Sequence, residues 1–447
     1  MSSEFEALQQ QGTWTLVPTS PHYNILGCKW IYRTKRNADG SLARYKARLV
    51  AQGFNQEYGL DYFDTFSPVA KFPTIRILFT IAVTSNWPIL QLDISNAFLH
   101  DKLDETIYMM QPLGLPDNVS LADPSLLRFS KDAIQLYLLV YVDDILLTGN
   151  SAQALDSLLH ALHSRFQMRN LGQASNFLGI QVVPIANGLH LSQSMYATQL
   201  LQKAGMQDSK PVLTLLPVKL PTVNSSDSLF EQPELYKQLV GSLQYLTITR
   251  PDLSFSVNLL CQQMHQPYLF HYQLLKRVLR YIAGTIQLGL PITSSSLDLQ
   301  AYSDSDWAAD STTRRSITGY CAFLGNTLVS WCVKKQTTVA RSSTEAEDRA
   351  LATAATDIVW LRRLLQDFSI PPTTPTSLFC DNVSALALAQ NPVFHARTKH
   401  IEVDFHFIRD YIRQKQISVH HIASIDQPAD LFTKAFSATS FNSCATS

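Results

Sequence analysis

The alternation of apolar and polar positions predicts strands that carry acidic residues. Residues 137–147 form an apolar run, YLLVYVDDILL, which is interrupted by Asp143 and Asp144 and is followed by a Gly-Asn pair. An apolar run bounded by turn residues in this way predicts the two strands of a hairpin. A second apolar run, residues 89–99, contains a single acid, Asp93.

Two adjacent carboxylates in an apolar hairpin are unfavourable unless a cation neutralises them. Oxygen ligands suit a hard divalent ion such as Mg²⁺, so the pattern predicts a metal site. For the hairpin considered alone, a solvated turn with two aspartates remains the alternative.

Further patterns predict a mixed α/β (α+β) fold. Alternation favours strands around the Asn-Ala-Asp-Gly turn of residues 37–40 and across residues 180–191, whereas three- and four-residue apolar steps favour helices. The stretch rich in proline, serine and threonine predicts a linker. The predicted elements are strand pairs within 28–51 and 180–191, helices over 73–87 and 152–166, a linker over 209–233, helices within 236–284, and renewed alternation after residue 297.

One aspartate on a strand plus a Val-Asp-Asp hairpin resembles the palm of reverse transcriptases. Over nearly its whole length, the chain resembles the copia-type (Pseudoviridae-like) retrotransposon Pol polyprotein. The motifs that carry this resemblance are GCKW (27–30), RYKARLV (44–50), FSPV (66–69), FLGI (177–180), LVGSLQYL (239–246) and TRPD (249–252). The resemblance implies fingers and palm over 1–207, a linker with a helical thumb or connection over 208–296, a ribonuclease H-like domain over 297–436, and a tail over 437–447.

The same resemblance implies roles in the palm. Asp93 and Asp143 would bind two Mg²⁺ or Mn²⁺ ions, and Asp144 would support them. Phe98 matches an aromatic gate against the ribose 2′-hydroxyl, although a core aromatic explains it equally well. Lys46 and Arg48 are candidates for holding the incoming triphosphate.

Four acids in the C-terminal part fall on separate predicted elements, in the order Asp304, Glu345, Asp381 and Asp430. Their order and the flanking motifs YSDSDWAAD, ARSSTEAE, DNVSALALAQNP, RTKHIEVDFHFIR and ADLFTK resemble ribonuclease H of the copia type. Cleavage of a phosphodiester by two divalent ions needs several carboxylates to balance the charge, which explains such a cluster. Surface solvation is the alternative for any one of them. It is also our prediction for their neighbours Asp306, Asp310, Glu347 and Asp348.

Charge and cysteine content narrow the function classes. The formal net charge of the 447 residues is zero, but basic residues cluster within the first 50 residues, with aromatic residues between them, and again at Lys276, Arg277 and Arg280. The first cluster suits phosphate contact and base stacking, while a solvated face is the bland alternative. The six cysteines lack paired spacing, which argues against a zinc module and a disulfide framework.

Targeting signals and histidines add little. We find no secretory signal and no apolar stretch of membrane-spanning length, so we expect an intracellular protein without a membrane partner. The resemblance implies a location in cytoplasmic virus-like particles for an intact element, or in the nucleus. We do not expect metal ligation by His395, His400 or His406. By the resemblance, Lys399 and His400 face nucleic acid.

One departure from the family changes the expected activity. About 30 residues separate the YMMQP motif (108–112) from Asp143, whereas the family places a long segment there that includes the palm helix behind the catalytic sheet. We predict an internal truncation near 113–126, a sheet with an exposed apolar face, and impaired polymerase activity. The predicted function is RNA-directed DNA synthesis with ribonuclease H, on RNA template, DNA primer, RNA–DNA hybrid and dNTPs. A ribonuclease H alone, or a non-catalytic nucleic-acid-binding remnant, are the alternatives.

Overall fold

The computed structural model describes residues 28–36, 42–51, 70–94, 122–166, 168–217, 219, 228–390 and 402–435. For residues 28–36, 42–51 and 402–406 the description is of the backbone. This part of the chain is mixed α/β, as the sequence predicts, with four sheets and nine α-helices.

The strands are β1 (Cys28–Arg36), β2 (Leu42–Ala51), β3 (Ile89–Ile94), β4 (Leu126–Lys131), β5 (Ile134–Tyr141), β6 (Asp144–Gly149), β7 (Met168–Gln173), β8 (Asn176–Phe177), β9 (Ile180–Ile185), β10 (Gly188–Ser192), β11 (Leu290–Thr293), β12 (Leu299–Asp306), β13 (Ile317–Leu324), β14 (Thr327–Lys335), β15 (Thr376–Cys380) and β16 (Ile417–His421). The helices are α1 (Phe72–Thr84), α2 (Ala152–Arg165), α3 (Ser194–Lys203), α4 (Pro233–Leu246), α5 (Ser254–Cys261), α6 (Leu269–Gly284), α7 (Ser343–Asp367), α8 (Val383–Gln390) and α9 (Glu402–Arg413).

An antiparallel sheet with the strand order β4-β5-β6-β3-β7 carries the three N-terminal carboxylates. The hairpin predicted from the apolar run at 137–147 is β5 and β6, which are joined at Val142 and Asp143. Apolar side chains on both faces of this sheet are buried, since Leu139 and Leu146 share a core with α1 while Leu138 and Leu147 share one with α2.

This burial contradicts our expectation of an exposed apolar face. Among the described residues of this sheet, only one large apolar side chain is more than a third exposed, that of Leu171 at 50%. Helix α1 also ends earlier than predicted, because Asn86 adopts a φ of 54° and Pro88 follows it before β3.

The smaller sheets and the helical region follow the sequence patterns. Strands β1 and β2 form the predicted N-terminal pair, and β9 pairs with β10 in a sheet of order β11-β10-β9-β8. Helices α4, α5 and α6 pack around a separate core that includes Leu243, Leu260 and Val278. In the predicted linker, residues 209–217, 219 and 228–232 contain no helix or extended strand.

The C-terminal sheet has the order β14-β13-β12-β15-β16. Strands β12, β13 and β14 are antiparallel, whereas β15 is parallel to β12 and β16 is parallel to β15. The long helix α7 lies between β14 and β15 in sequence and packs on β12 and β13. Two adjacent parallel strands need a crossover connection of this kind, which is usually a helix.

The C-terminal unit packs directly against the N-terminal sheet. Arg76 of α1 is buried, donates to the carbonyl oxygens of Val329 (2.9 Å) and Ile248 (2.7 Å), and lies 3.8 Å from the ring centroid of Trp331. The indole N–H of Trp360 donates to Ala122 O at 2.9 Å. The two parts of the chain therefore share one continuous core.

None of the described helices has the length and apolarity that a membrane span needs.

Two candidate metal centres

Asp93, Asp143 and Asp144 meet at one end of the N-terminal sheet. Asp93 on β3 lies opposite Asp144 on β6, and the Ile94 N–H donates to Asp143 O at 2.9 Å. All three aspartates are half-buried. Val142, at the turn, has a φ of 58°, an unusual conformation for a β-branched residue that is found where surrounding contacts enforce it.

This arrangement has the chemistry of a divalent-cation site. Residues directly opposite on antiparallel strands have neighbouring side chains, and like charges in that position are destabilising. Arg169 of β7, which lies opposite Asp93 on the other side, supplies one positive charge. The structure thus brings together the three N-terminal aspartates predicted from sequence, whereas Phe98 lies outside the described residues.

The β1–β2 pair separates basic from aromatic positions. Its register places six basic positions on one face: Lys29, Arg33, Lys35, Arg44, Lys46 and Arg48. The aromatic positions Trp30, Tyr32 and Tyr45 fall on the opposite face. One face of the pair therefore has the charge for phosphate contact without the interleaved aromatic residues that the linear sequence suggests.

The second centre lies on the central strand β12 of the C-terminal sheet. Asp304 is 2% exposed and accepts a hydrogen bond from Thr433 Oγ1. The parallel register pairs Tyr302 with Phe379, so Asp304 and Asp381 each stand two residues beyond the last pair. Ser424 Oγ donates to Asp381 at 2.7 Å.

Glu347 of α7 completes this group. Burial, together with the nearby charges of Asp304 and Asp381, raises its pKa to about 9. Its carboxylate oxygen, Cys380 Sγ and an Asp381 carboxylate oxygen all lie within 4.8 Å of one another, and they form a set that could hold a metal ion. Our prediction that Glu347 and Asp348 are surface groups is wrong, because they are 5% and 0% exposed.

Glu345, which we predicted for this position, lies elsewhere on the helix. Its carboxylate binds Arg349 at 2.7 Å and accepts from the Arg341 N–H at 2.9 Å, and its own N–H donates to Ser342 Oγ at 3.2 Å. Residues two apart on an α-helix point to nearly opposite sides. Since Glu347 faces Asp304 and Asp381, Glu345 faces away from them.

Asp430 approaches the group from a 3₁₀ turn, Pro428–Phe432. Burial and the charge of Asp304 raise its pKa to about 6, while Lys434 opposes this rise. Lys434 Nζ lies 2.6 Å from Asp430 and 3.5 Å from Asp304. One ammonium group therefore contacts two of the four carboxylates, and the negative charge that remains suits divalent cations.

A thiol is the unexpected member of this centre. Cys380 is buried, donates to Glu347 Oε2 at 3.7 Å, and accepts from the Asn382 N–H at 3.4 Å. Sequence spacing could not reveal it, because it sits alone before Asp381. His395, Lys399 and His400 lie outside the described residues, and the side chain of His406 is not described.

Comparisons with known proteins identify the family of this chain. The profile of the family "Reverse transcriptase (RNA-dependent DNA polymerase)" matches residues 11–122 and 126–218. A retrovirus-related Pol polyprotein from transposon RE1 of Arabidopsis thaliana is 43% identical over 484 aligned positions, which cover 100% of this chain and 33% of the relative. The chain belongs to the copia-type retrotransposon Pol family.

Another member of the Pol family, from transposon TNT 1-94 of Nicotiana tabacum, is 34% identical over 494 positions, covering 99% of this chain and 37% of the relative. The chain thus spans about a third of the length of these Pol relatives. A solved foamy viral protease-reverse transcriptase in complex with double-stranded DNA aligns with 88% of this chain and 66% of its own, at 9% identity and a TM-score of 0.43.

The comparisons also bear on the missing segment. Both alignments with Pol relatives are longer than the 447 residues of this chain, so the relatives contain residues that it lacks. The family profile match is interrupted between residues 122 and 126, within the region where the sequence predicts the truncation.

Proposed function

We propose that the C-terminal unit cleaves the RNA strand of RNA–DNA hybrids. The observation that carries this proposal is the convergence of Asp304, Glu347, Asp381 and Asp430 from four separate elements onto one partly buried group. Its partners would be an RNA–DNA hybrid and Mg²⁺ or Mn²⁺.

In this proposal the residues of the centre have three roles: they bind the ions, orient the carboxylates and compensate charge. Two bound divalent ions would activate the attacking water and stabilise the leaving oxygen. The four carboxylates would hold those ions, and the Thr433 and Ser424 hydroxyls would orient Asp304 and Asp381. The Lys434 ammonium would compensate part of the negative charge on Asp304 and Asp430.

For the N-terminal unit we propose a residual RNA-directed DNA polymerase site that uses an RNA template, a DNA primer and dNTPs. Asp93 and Asp143 would hold the ions and Asp144 would support them. Lys46 and Arg48 would face the triphosphate, and Phe98 would act as the ribose gate. The register that brings the aspartates together and the basic face of β1 and β2 support these roles. For an intact element, the same proposal locates the protein in cytoplasmic virus-like particles or in the nucleus.

A paired substitution on one helix tests the ribonuclease proposal. Purified full-length chain is incubated with a labelled RNA–DNA hybrid and Mg²⁺ or Mn²⁺, and the RNA strand is followed on a gel. Glu347→Gln and Asp304→Asn should each lower the cleavage rate by at least about 100-fold, because they remove charge that holds the ions. Glu345→Gln, two residues away, is the matched control and should keep most of the activity.

Two results would overturn this assignment. Cleavage by Glu347→Gln at the parent rate would remove Glu347 from the site, and loss of cleavage in Glu345→Gln alone would restore the position first predicted from sequence. Hybrid binding without cleavage by the parent chain would favour the remaining candidate, a non-catalytic nucleic-acid-binding remnant.

A further inference from the structure

A buried amide side chain joins the start of α7 to the C-terminal sheet. Gln336 directly follows β14, and it is 8% exposed. Its backbone N–H donates to Ser316 O at 2.9 Å, on the residue before β13. The side chain of Gln336 therefore starts from a backbone position that is fixed to the sheet.

Three elements of the C-terminal unit meet at the amide nitrogen of this side chain. Nε2 of Gln336 lies 2.9 Å from Ala346 O on α7, 3.1 Å from Thr318 Oγ1 on β13 and 3.3 Å from Ser305 Oγ on β12. An amide nitrogen carries two hydrogens, so the nearest acceptor, Ala346 O, takes one and the two hydroxyls share the other. One amide group thus holds the first turn of α7 against two strands of the sheet.

Two partners of this amide are sequence neighbours of the C-terminal carboxylates. Ala346 immediately precedes Glu347, and Ser305 immediately follows Asp304. Against the larger effect of burial, a hydrogen bond from the Ser305 backbone lowers the pKa of the Glu347 carboxyl. Ser305 therefore contacts Gln336 through its side chain and Glu347 through its main chain. The amide links the helix turn that carries Glu347 to the strand that carries Asp304.

The oxygen of the same amide is unfavourable for stability. Oε1 of Gln336 is buried and has no hydrogen-bond partner among the described residues. A buried polar atom without a partner destabilises the folded state, so an apolar side chain of similar length would change the stability little. An amide that contributes little to stability, next to the carboxylates, is better explained by the geometry that it gives them.

We propose that Gln336 is a positioning residue of the C-terminal centre, whose amide holds the first turn of α7 so that Glu347 can share a divalent ion with Asp381. Glu345, two residues away on the same helix, is left to its ion pair with Arg349. This inference deepens the proposed function and rests on it. It adds a residue that acts through Glu347 and touches neither the ions nor the substrate.

Equilibrium binding of Mn²⁺ without hybrid, measured by electron paramagnetic resonance, tests this role independently of cleavage. Every sample is the full chain with Asp93→Asn/Asp143→Asn, so that the N-terminal aspartates contribute little to the signal. Gln336→Met keeps the length of the side chain and removes its hydrogen bonds. It should weaken Mn²⁺ binding about 10-fold, because loss of a group that orients a metal ligand typically lowers affinity 10- to 100-fold. The midpoint of thermal unfolding should change little.

Double variants show whether Gln336 acts through Glu347. In a chain that carries Glu347→Gln, Gln336→Met should cause no further loss of Mn²⁺ affinity, because the carboxylate that it positions is already gone. In a chain that carries Asp430→Asn, Gln336→Met should still cause its own loss of about 10-fold. Independent, additive losses in the Glu347→Gln chain would overturn the proposal.

Gln193 provides the matched control for the loss of a buried amide. It is 1% exposed, and its Oε1 accepts from Thr249 Oγ1 at 2.9 Å, outside the C-terminal unit. Gln193→Met should leave the Mn²⁺ affinity at the parent value. An equal loss of affinity in Gln193→Met and Gln336→Met would overturn the proposal.

Gln336→Asn is a second variant at the position itself. It keeps the amide but is one methylene too short to reach Ala346 O from the same backbone position, so it should weaken Mn²⁺ binding as Gln336→Met does. Parent-like affinity in both variants would overturn the proposal. A marked loss of thermal stability in both would show instead that the amide serves the fold, and would overturn it as well.

The outcome is distinguishable from failure of the proposed function. A chain whose Mn²⁺ binding depends on Glu347 and Gln336, but which does not cleave the hybrid, would refute the ribonuclease proposal and support the positioning role. A chain that cleaves the hybrid and keeps its Mn²⁺ affinity in Gln336→Met would refute the positioning role alone. Mn²⁺ binding that Glu347→Gln leaves unchanged would refute both.

Discussion

The hydroxyl of Tyr137 donates a hydrogen bond to the carbonyl oxygen of Phe368 at 2.6 Å, across 231 residues of sequence. Tyr137 lies on β5 of the N-terminal sheet, and Phe368 follows α7 of the C-terminal unit. Their rings also contact, with centroids 5.1 Å apart. The strand that precedes the Asp143–Asp144 turn is thus tied to the end of the helix that carries Glu347.

Tyr137→Phe tests the contribution of this hydrogen bond. The ring contacts remain while a buried bond is lost, so the free energy of unfolding should fall by about 1 kcal/mol. Denaturant titration of the full chain measures the change. Tyr411→Phe, whose hydroxyl bonds no described residue, should leave the midpoint unchanged, and equal behaviour of the two variants would mean that the Tyr137 bond contributes nothing.

Substitution of Arg76 should lower the free energy of unfolding by more than Tyr137→Phe does, because Arg76 joins three segments of the chain. Burial lowers its pKa to about 9, and its charge is matched by two carbonyl oxygens and the Trp331 ring rather than by a carboxylate. Arg76→Ala removes these contacts and leaves two carbonyl groups without a donor, so we expect a loss of about 2 to 3 kcal/mol. Arg76→Lys should rescue only part of it, since one ammonium cannot reproduce the planar fork.

The exposed Arg363 of α7 provides the control for Arg76. Arg363→Ala should change the free energy of unfolding by less than about 0.5 kcal/mol. A similarly small effect of Arg76→Ala would show that its contacts between the two units contribute little to the free energy of unfolding.

Asp357 of α7 predicts a pH dependence of stability. Burial raises its pKa above the ordinary value, although Ser330, Tyr320 and Lys71 oppose the rise. A carboxyl whose pKa is higher in the folded state favours folding below its unfolded pKa, and this stabilisation is lost as the pH rises through the folded pKa. Asp357→Asn should therefore be more stable than the parent at pH 8, by about 1.4 kcal/mol per unit of pKa elevation.

The difference between Asp357→Asn and the parent should shrink as the pH falls through the raised folded-state pKa of Asp357, and little of it should remain at about pH 4, where the parent carboxyl is largely protonated in the folded state. Unfolding free energies measured at both pH values check this. A parent that is more stable than the variant at pH 8 would show instead that the ionised Asp357 carboxylate stabilises the folded protein.

Local patterns predicted the elements and part of the chemistry. The apolar run at 137–147 was sufficient to place Asp143 and Asp144 at a hairpin tip, since strand period and turn signals act over a few residues. It was harder to predict which face of α7 points to the metal centre. Glu345 and Glu347 lie in one motif, but two residues along a helix turn their side chains in nearly opposite directions. A signal was present, since Ser342 and Glu345 have the Ser-x-x-Glu spacing of a capping box. We placed Glu345 at the start of a helix, and this spacing could also have assigned its carboxylate to the helix N-terminus, where it accepts from the Arg341 N–H, instead of to the metal centre.

Long-range packing explains the remaining differences. No periodicity connects Tyr137 to Phe368 or Arg76 to Trp331, so the sequence could not show that the C-terminal unit covers the N-terminal sheet. We therefore expected an apolar face where the structure has a buried one. The proximity of Cys380 to Glu347 has the same origin, since it depends on how α7 packs over the sheet.

Primer extension by the unmodified chain should still be poor. The three aspartates meet and their sheet is buried, so the defect should lie in what the missing segment would have contributed to holding template and nucleotide. Phosphoryl transfer needs the reactants positioned to within a fraction of an ångström, and carboxylates alone do not provide this.

Two variants compared with the parent chain isolate that defect. Insertion of the corresponding segment of a Pol relative near residues 113–126 should raise extension of a DNA primer on an RNA template by orders of magnitude, and Asp143→Asn in the repaired chain should abolish the gain. Hybrid cleavage in the same samples should stay constant, because Asp304, Glu347, Asp381 and Asp430 lie outside the insertion. Efficient extension by the unmodified chain that Asp143→Asn eliminates would instead show that the N-terminal site tolerates the loss.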